Sequence, residues 1–272
     1  MIIGNSRQKN GGDFINLSIL IPCIRTSEWK AIYDSAIHSA GRYSFEIIFV
    51  GPFALPENMK QLPNIEYVED FGSPIRTQQI ALTQAEGEYI TWFADDGLFL
   101  PNAISQVMNL FHKHGLQKKL VISGKYYEAE GPVNAAIHED PNYYRLNHHK
   151  ALKSPYFPDS WLIYNNAFIK RDYLLELGGW DCQFEATAMA HSDLAARAQR
   201  DGAVTLLSSF VTAKFGHMPK NTGDHGPVYY AQVQNDEPLY RNIYDDKSCR
   251  NRIKIDINNW KNSPDKWTRR QF

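Results

Sequence analysis

The chain has 272 residues, of which 43% are hydrophobic and 22% are charged, and its formal net charge is -1. This composition excludes a disordered chain, and the balanced charge excludes a general attraction to nucleic acid or anionic lipid. The cysteines are 3 in number and widely spaced, which predicts neither a disulfide framework nor a zinc site.

The N-terminal segment carries no sign of export. Residues 1–14 are polar and glycine-rich, and we expect them to form a loose leader. They lack the charged-then-apolar layout of a secretion signal, and the longest apolar run, 19–24, is too short to span a bilayer. These features predict a cytoplasmic protein, and peripheral contact at the inner face of the membrane stays open.

Strands and helices alternate through the first part of the chain. Strands rich in β-branched and aromatic residues are predicted at 16–24, 45–50, 65–68 and 88–93. Helices are predicted from Ser27 to Gly41, from Ser73-Pro74 to Ala85, and from Pro101 to Gly115. This alternation predicts a doubly wound α/β half over residues 15–125.

Residues 126–272 have a less regular pattern and are predicted to form the second half of the same domain. The stretch 126–160 is rich in Tyr, His, Asn and Pro, which indicates a long functional loop or lid. Helical pieces are predicted around 170–177 and 192–201, and a second long loop at 214–228.

The basic C-terminal tail has two interpretations. It is either an ordinary solvated end or a segment that contacts a membrane surface. The residues concerned are Lys261, Lys266, Arg269, Arg270, Trp260 and Trp267.

Two adjacent carboxylates follow the fourth predicted strand. Asp95 and Asp96 would lie at the carboxyl end of that strand, where open α/β sheets bind their ligands, and Gly97 would let a ligand approach the backbone. Clustered carboxylates favour a compensating hard cation such as Mg²⁺ or Mn²⁺. The alternative is a strand-to-helix turn that uses Asp as a cap.

Three segments in order resemble the family 2 glycosyltransferases, whose fold is called GT-A. They are SILIPCIRTSEW, GSPIRTQQIALTQAEGEYITWFADDGLFLP and GGWDCQFEATAMAHSDLAARAQRDG, which together span about residues 16–202. The resemblance implies a Rossmann-like, mostly parallel central sheet with helices on both faces, and an irregular acceptor-side C-terminal part. It also implies a site for a nucleotide-diphosphate sugar.

The resemblance assigns donor-side roles to several residues. Asp96 would ligate the metal that bridges the diphosphate, and Asp95 would lie near the ribose or the donor sugar. Pro22, in the first predicted strand, would lie at the donor site. Arg76 would face the diphosphate from a helix N-terminus, although an exposed helix arginine is the alternative.

The sequence departs from the family pattern at three places. Val50-Gly51-Pro52-Phe53 replaces the usual acidic segment that grips the base, and Ala94 replaces the first Asp of the Asp-x-Asp turn. Ala190-His191 stands where the family has the acidic pair that supplies the catalytic base. His191 or Asp193 would then take the acceptor proton, and a helix cap at Ser192 or Asp193 is the alternative.

Two histidines and one aromatic element complete the predicted site. His217 and His225, in a glycine-rich loop, are equally ranked as further metal ligands. Trp180 and Asp181 belong to the Gly-Gly-aromatic-Asp element and are predicted to line the acceptor side.

The sequence therefore predicts a sugar transferase of the hexosyltransferase type, inverting and assisted by Mn²⁺ or Mg²⁺. Its partners would be a nucleotide-diphosphate sugar and a glycan or lipid-linked acceptor of surface polysaccharide synthesis, with no nucleic acid. A non-catalytic GT-A module that binds a nucleotide sugar or glycan is the first alternative. A nucleotidyltransferase ranks lower, because PCIRTSEWK lacks a glycine-rich phosphate loop.

Overall fold

The computed structural model describes residues 14–114, 117–130, 144–145, 151–153, 160–162, 164–217, 223–245 and 252–271. Within them, the strands are β1 (Leu17–Pro22), β2 (Phe45–Gly51), β3 (Ile65–Glu69), β4 (Tyr89–Trp92), β5 (Gly97–Phe99), β6 (Leu120–Glu130), β7 (Tyr144–Arg145), β8 (Ala151–Lys153), β9 (Ser160–Leu162), β10 (Ala167–Lys170) and β11 (Val204–His217). The helices are α1 (Trp29–Ala40), α2 (Pro74–Gln84), α3 (Ala103–Lys113), α4 (Arg171–Leu177), α5 (Thr187–Arg200), α6 (Gly226–Ala231) and α7 (Glu237–Asp245).

One mixed sheet forms the centre of the molecule, in the order β3-β2-β1-β4-β10-β6-β11-β5. The strands β3, β2, β1 and β4 run parallel, as the alternating sequence pattern predicts. Strand β10 pairs antiparallel with both β4 and β6, and β11 runs parallel to β6. Because β10 and β11 come from the second half of the chain, both halves build the same sheet.

The buried strands have apolar side chains on both faces. Leu17, Ile19 and Ile21 of β1 pack with α1 and α3, whereas Leu20 faces the layer that contains α2, α4 and α5. This division follows from the two-residue period of a strand. The core is therefore closed on both faces of the sheet. Because β1 and β4 are parallel neighbours, their carboxyl ends lie together at one edge of this core.

Two parts of the second half differ from the sequence-based prediction. Helix α5 begins at Thr187 and not near residue 192. Strand β11 continues to His217, so its last residues are a strand where a loop was predicted from residue 214. In β11 the apolar residues Val204 and Leu207 are exposed whereas the polar Ser208 is buried, so residue polarity does not mark the buried face of this strand. Most of the predicted lid at 126–160 lies outside the described residues.

The C-terminal segment packs on the domain and is not a solvated tail. The backbone N–H of Trp267 donates to the carbonyl of Phe71 at 2.7 Å, and the N–H of Ile255 donates to Leu177 at 3.2 Å. The Trp267 side chain is only 5% exposed. Residues 252–271, here called the C-terminal strap, therefore cover one side of α2 and α4.

A close backbone approach at the end of β2 gives a test of the fold. A Cβ at Gly51 would lie 2.0 Å from the carbonyl oxygen of Cys23, so we expect Gly51→Ala to lower the free energy of unfolding by about 3 kcal/mol. Gly202→Ala is the control, because Gly202 has a positive φ of 82° but nothing within 4 Å of its Cβ position. Its cost should stay near 1 kcal/mol. If urea unfolding showed equal losses of stability in Gly51→Ala and Gly202→Ala, the steric clash between a Cβ at residue 51 and the carbonyl of Cys23 would be contradicted.

Candidate functional site

The acidic turn lies where two neighbouring parallel strands end. Asp95 and Asp96 follow β4, and the loop 23–28 follows β1, which pairs directly with β4. The carboxyl ends of adjacent parallel strands meet at one edge of the sheet. The two loops therefore face each other, and their side chains are in contact.

Asp95 holds the loop that follows β1. One of its carboxylate oxygens accepts hydrogen bonds from the backbone N–H groups of Ile24 and Arg25, each at 2.6 Å, and the other pairs with the guanidinium of Arg25. Asp95 is only 3% exposed. Its contacts describe a positioning role for this carboxylate, which fixes the backbone and the side chain of residue 25.

Arg25 connects three carboxylates from two distant parts of the chain. Besides its pair with Asp95, its Nε lies 2.7 Å from Asp224 Oδ2 and its Nη2 lies 3.9 Å from Asp96 Oδ2. Burial lowers the pKa of Arg25, but the three carboxylates outweigh burial and raise the pKa above its ordinary value. The guanidinium is therefore a permanent positive charge at the centre of the cluster.

Arg25 is not among the site residues predicted from the sequence. The only local signal is a cationic residue directly after a buried apolar strand, opposite an acidic turn.

His225, one of the two predicted metal ligands, lies beside Asp96. Its Nε2 is 3.4 Å from Asp96 Oδ2 and 4.0 Å from Asp224 Oδ1. Asp224 and His225 both belong to the short 3₁₀ turn Gly223–His225, and Arg270 donates to the backbone carbonyl of Asp224. The side chain of His217, the other predicted ligand, lies outside the described part.

The described side chains do not fit the predicted Mn²⁺ or Mg²⁺ site. The spacing of His225 and Asp96 alone would suit two ligands of one octahedral cation, which lie about 3 Å apart. However, no three His, Cys, Asp or Glu side chains in the described residues are grouped as metal ligands. The guanidinium of Arg25 also lies between the carboxylates that would bind the cation.

An open cavity of about 550 Å³ adjoins the turn that carries Asp224 and His225. It has a mixed lining of one aromatic ring, polar side chains and glycine backbone, namely Gly223, Gly226, Pro227, Tyr230, Gln234 and Arg269.

Arg76 does not lie in this cluster. Its guanidinium pairs with Asp70 at 3.0–3.1 Å and donates to the carbonyls of Trp260 and Ser263. The side chain is 6% exposed, so neither the predicted diphosphate contact nor an exposed helix arginine describes it. Arg76 instead fastens the C-terminal strap to α2, whose N-terminus is capped by Ser73 as predicted.

His191 and Asp193, the two predicted catalytic bases, are both buried in α5. The His191 ring lies 5.6 Å from the Trp92 ring, and its Nε2 is 3.2 Å from the side-chain nitrogen of Gln78. Asp193 accepts from Arg197 Nε at 2.7 Å and from the Tyr244 hydroxyl at 2.6 Å. These contacts give both residues a packing role and do not support either as the base.

Trp180 and Asp181 are also enclosed. The Trp180 side chain is 0% exposed and packs edge-on against Trp92 at 5.1 Å, so its ring does not present a face to a sugar. Asp181 pairs with Arg252 and accepts from the backbone N–H of Gln183 at 2.9 Å. Both residues hold the turn between α4 and α5.

The burial of His191 predicts a pH dependence of stability. Burial lowers its pKa to about 3 in the folded protein, against an ordinary value of about 6.5 when unfolded. Between these values the unfolded chain binds the extra proton, so stability is complete above the unfolded pKa and falls as the pH drops. From pH 7 to pH 5 this residue should cost about 2 kcal/mol.

We expect His191→Gln to remove that part of the pH dependence. The difference between the free energies of unfolding at pH 7 and pH 5, from urea titrations, should be smaller in the variant by about 2 kcal/mol. An identical pH dependence in both proteins would show that His191 takes up its proton in the folded state.

The tail residues that suggested membrane contact are mostly engaged within the protein. Trp267 Nε1 and Arg269 Nε each donate to Glu185 at 2.6 Å, and Arg76 lies over the ring of Trp260. Within the described residues, no helix has the length and apolar character needed to cross a bilayer.

Comparison with solved structures relates the fold to TarS of S. aureus, a glycosyltransferase. The chain is similar to the crystal structure of TarS 1–349, with a TM-score of 0.52 and 14% identity over 74% of this chain and 60% of that one. It is similar to TarS 1–349 in complex with UDP-GlcNAc, with a TM-score of 0.53 and 13% identity over 88% and 72% of the two chains. Neither a protein-family model nor a curated protein sequence matches the chain.

At these identities the similarity concerns the fold alone. The chain has an α/β fold of the GT-A type, which confirms the fold class expected from the sequence. The chain spans less than two thirds of the first TarS structure.

Proposed function

We propose that this protein is a glycosyltransferase that moves a sugar from a nucleotide-diphosphate donor to an acceptor hydroxyl. The observation that carries the proposal is the cluster of Arg25, Asp95, Asp96 and His225 at the ends of β1 and β4 in a GT-A-type sheet. In open α/β sheets this edge is where ligands bind. Within the cluster, Arg25 is the permanent positive charge that could face a diphosphate leaving group.

Cleavage of the sugar–phosphate bond builds negative charge on the leaving diphosphate. Preorganised positive groups at that point lower the barrier, because they are already oriented when the charge develops. Arg25 is held from both ends, by Asp95 and by Asp224, so its guanidinium meets this requirement. Asp95 and the turn at Asp224 would act by fixing the position of that group.

The donor is proposed to be a UDP-sugar, since TarS 1–349 has been solved with UDP-GlcNAc. The acceptor is proposed to be a glycan or a lipid-linked sugar of surface polysaccharide synthesis, and the transfer to be of the inverting, hexosyl type. The family resemblance of the sequence supports these points. The cavity beside Asp224 and His225 is a space next to the cluster that an acceptor sugar could enter.

The proposal is tested by donor turnover. The protein would be incubated with UDP-GlcNAc, UDP-glucose, GDP-mannose and dTDP-glucose, with and without glycan acceptors, and release of the nucleoside diphosphate would be measured. We expect release from one donor that increases when an acceptor is added. Binding of no nucleotide in thermal-shift experiments, together with no release, would overturn the proposal.

A non-catalytic module that binds a nucleotide sugar is the second candidate. The observation that favours it is the packing of His191 and Asp193, because neither predicted base is exposed to an acceptor. Nucleotide binding without any donor turnover would favour this candidate, and any acceptor-dependent release would exclude it.

A further inference from the structure

One guanidinium lies among three carboxylates at the edge of the sheet where the donor is proposed to bind. A loop anchor would need only the contacts between Arg25 and Asp95. Arg25 extends further, to Asp224 in a separate segment of the chain and toward Asp96. Its side chain is 22% exposed, so the charge is accessible to a ligand although its partners fix it.

A divalent cation bound at this position would be repelled by the positive charge of Arg25. A cation bound to Asp96 and Asp224 would lie close to the guanidinium, whose Nε is 2.7 Å from Asp224 and whose Nη2 is 3.9 Å from Asp96. Like charges at such distances repel each other, and the repulsion is stronger in a partly buried site than in bulk water. The cation and the guanidinium therefore compete for the same carboxylates.

The guanidinium is also suited to bind phosphate. Arginine has five N–H donors in a planar fork, and here Nε is used by Asp224 and Nη1 by Asp95. The distance from Nη2 to Asp96 exceeds hydrogen-bond length, so the Nη2 N–H groups can reach a phosphate oxygen. Charge-assisted contacts of this kind are strong and directional.

We propose that Arg25 takes the cation position of this site and binds the donor diphosphate directly, so that donor binding does not require a divalent metal. This inference rests on the proposed function for the identity of the ligand. In this proposal the Arg25 guanidinium supplies the positive charge that the sequence-based prediction assigned to Mn²⁺ or Mg²⁺.

The first test measures UDP binding by calorimetry in EDTA and in Mn²⁺. We expect the wild-type protein to bind UDP in EDTA, with an affinity that Mn²⁺ changes less than about threefold. Arg25→Ala should bind about 10- to 150-fold more weakly in EDTA, and Arg25→Lys should lie between the two. Arg42→Ala, which removes an exposed arginine on the surface, should bind as the wild type does.

The second test measures Mn²⁺ alone, by electron paramagnetic resonance, on the protein without nucleotide. The wild type should show no tight Mn²⁺ site, and Arg25→Ala should gain one that is lost again in Arg25→Ala with Asp96→Asn. Circular dichroism melts would verify that each variant is folded.

The outcomes separate the two proposals. A wild-type protein that binds UDP only with Mn²⁺, or that binds Mn²⁺ tightly through Asp96 while Arg25 is present, overturns the inference. If no nucleotide binds under any condition, the proposed function fails, while the Mn²⁺ measurements still decide whether Arg25 occupies the cation position.

Discussion

Replacing Asp95 with alanine is expected to lower the catalytic efficiency of donor turnover about 100-fold, although Asp95 itself is not expected to touch the donor. The carboxylate receives two backbone N–H groups and the Arg25 guanidinium. Without it, those donors lose their common acceptor and the loop after β1 can shift. A displacement of a positioned charge by about 1 Å is enough for a loss of this size.

The same change should lower the free energy of unfolding by about 1–3 kcal/mol, because hydrogen bonds to a buried charge are lost. Asp95→Asn keeps one acceptor oxygen and should give an intermediate loss of activity. Asp34→Ala is the control, since Asp34 is a half-exposed carboxylate of α1 that pairs with Lys30. Full turnover by a folded Asp95→Ala protein would show that Arg25 does not need this anchor.

The strands of the first half could be predicted because their local signal and their environment agree. Strand β1 is apolar on both faces, and it is buried on both faces between two layers of helices. The Ser73-Pro74 start of α2 was also predicted, since a cap depends only on neighbouring residues, and Ser73 accepts from the backbone N–H of Arg76. Strand β11 was not predicted, because it is partly exposed and its strand conformation depends on pairing with β6, which is distant in the sequence.

The position of the acidic turn was predictable, but its contact with Arg25 was not. Asp95 and Asp96 follow an apolar strand, and that pattern places them at the ligand edge of the sheet. The contact between Arg25 and Asp224 depends on the folding of two distant segments onto each other, which no local pattern encodes. From the sequence alone, two adjacent carboxylates favour a metal site, and the contact with Arg25 is the observation on which our proposal of a metal-independent site rests.

Residue type alone could not separate exposed from buried polar groups in α5 and α2. His191, Asp193 and Arg76 have the polarity expected of a donor or acceptor site. In the structure each is enclosed and satisfied by other polar groups, such as Gln78, Tyr244 and Asp70. The sequence does not distinguish a buried histidine from a catalytic base, or an arginine in a buried ion pair from one that contacts a ligand.

The ion pair inside α5 should give the largest single loss of stability. Asp193 and Arg197 are both 0% exposed, and their side chains meet at 2.7 Å. Arg197 also donates to the carbonyls of Leu177 and Gly179, at 2.9 Å and 2.6 Å, so it joins α5 to the end of α4. Removing one partner of a buried pair leaves the other charge without compensation, which costs about 3–5 kcal/mol.

We therefore expect Asp193→Asn to lower the free energy of unfolding by about 3–5 kcal/mol in urea titrations, although it preserves the shape of the side chain. Asp34→Asn is a matched control, because Lys30 and Asp34 form a pair with the same four-residue spacing at 2.6 Å on the exposed face of α1. That change should cost less than about 1 kcal/mol, since water screens the exposed pair. Removal of the Asp193 charge also takes a partner from Arg252, which lies 3.4 Å from Asp193, so among the described residues no neighbouring carboxylate relieves the loss in the pair with Arg197. Equal losses of stability in the two variants would show that Arg197 does not depend on the Asp193 charge, and Asp193 would be open again to a role in catalysis.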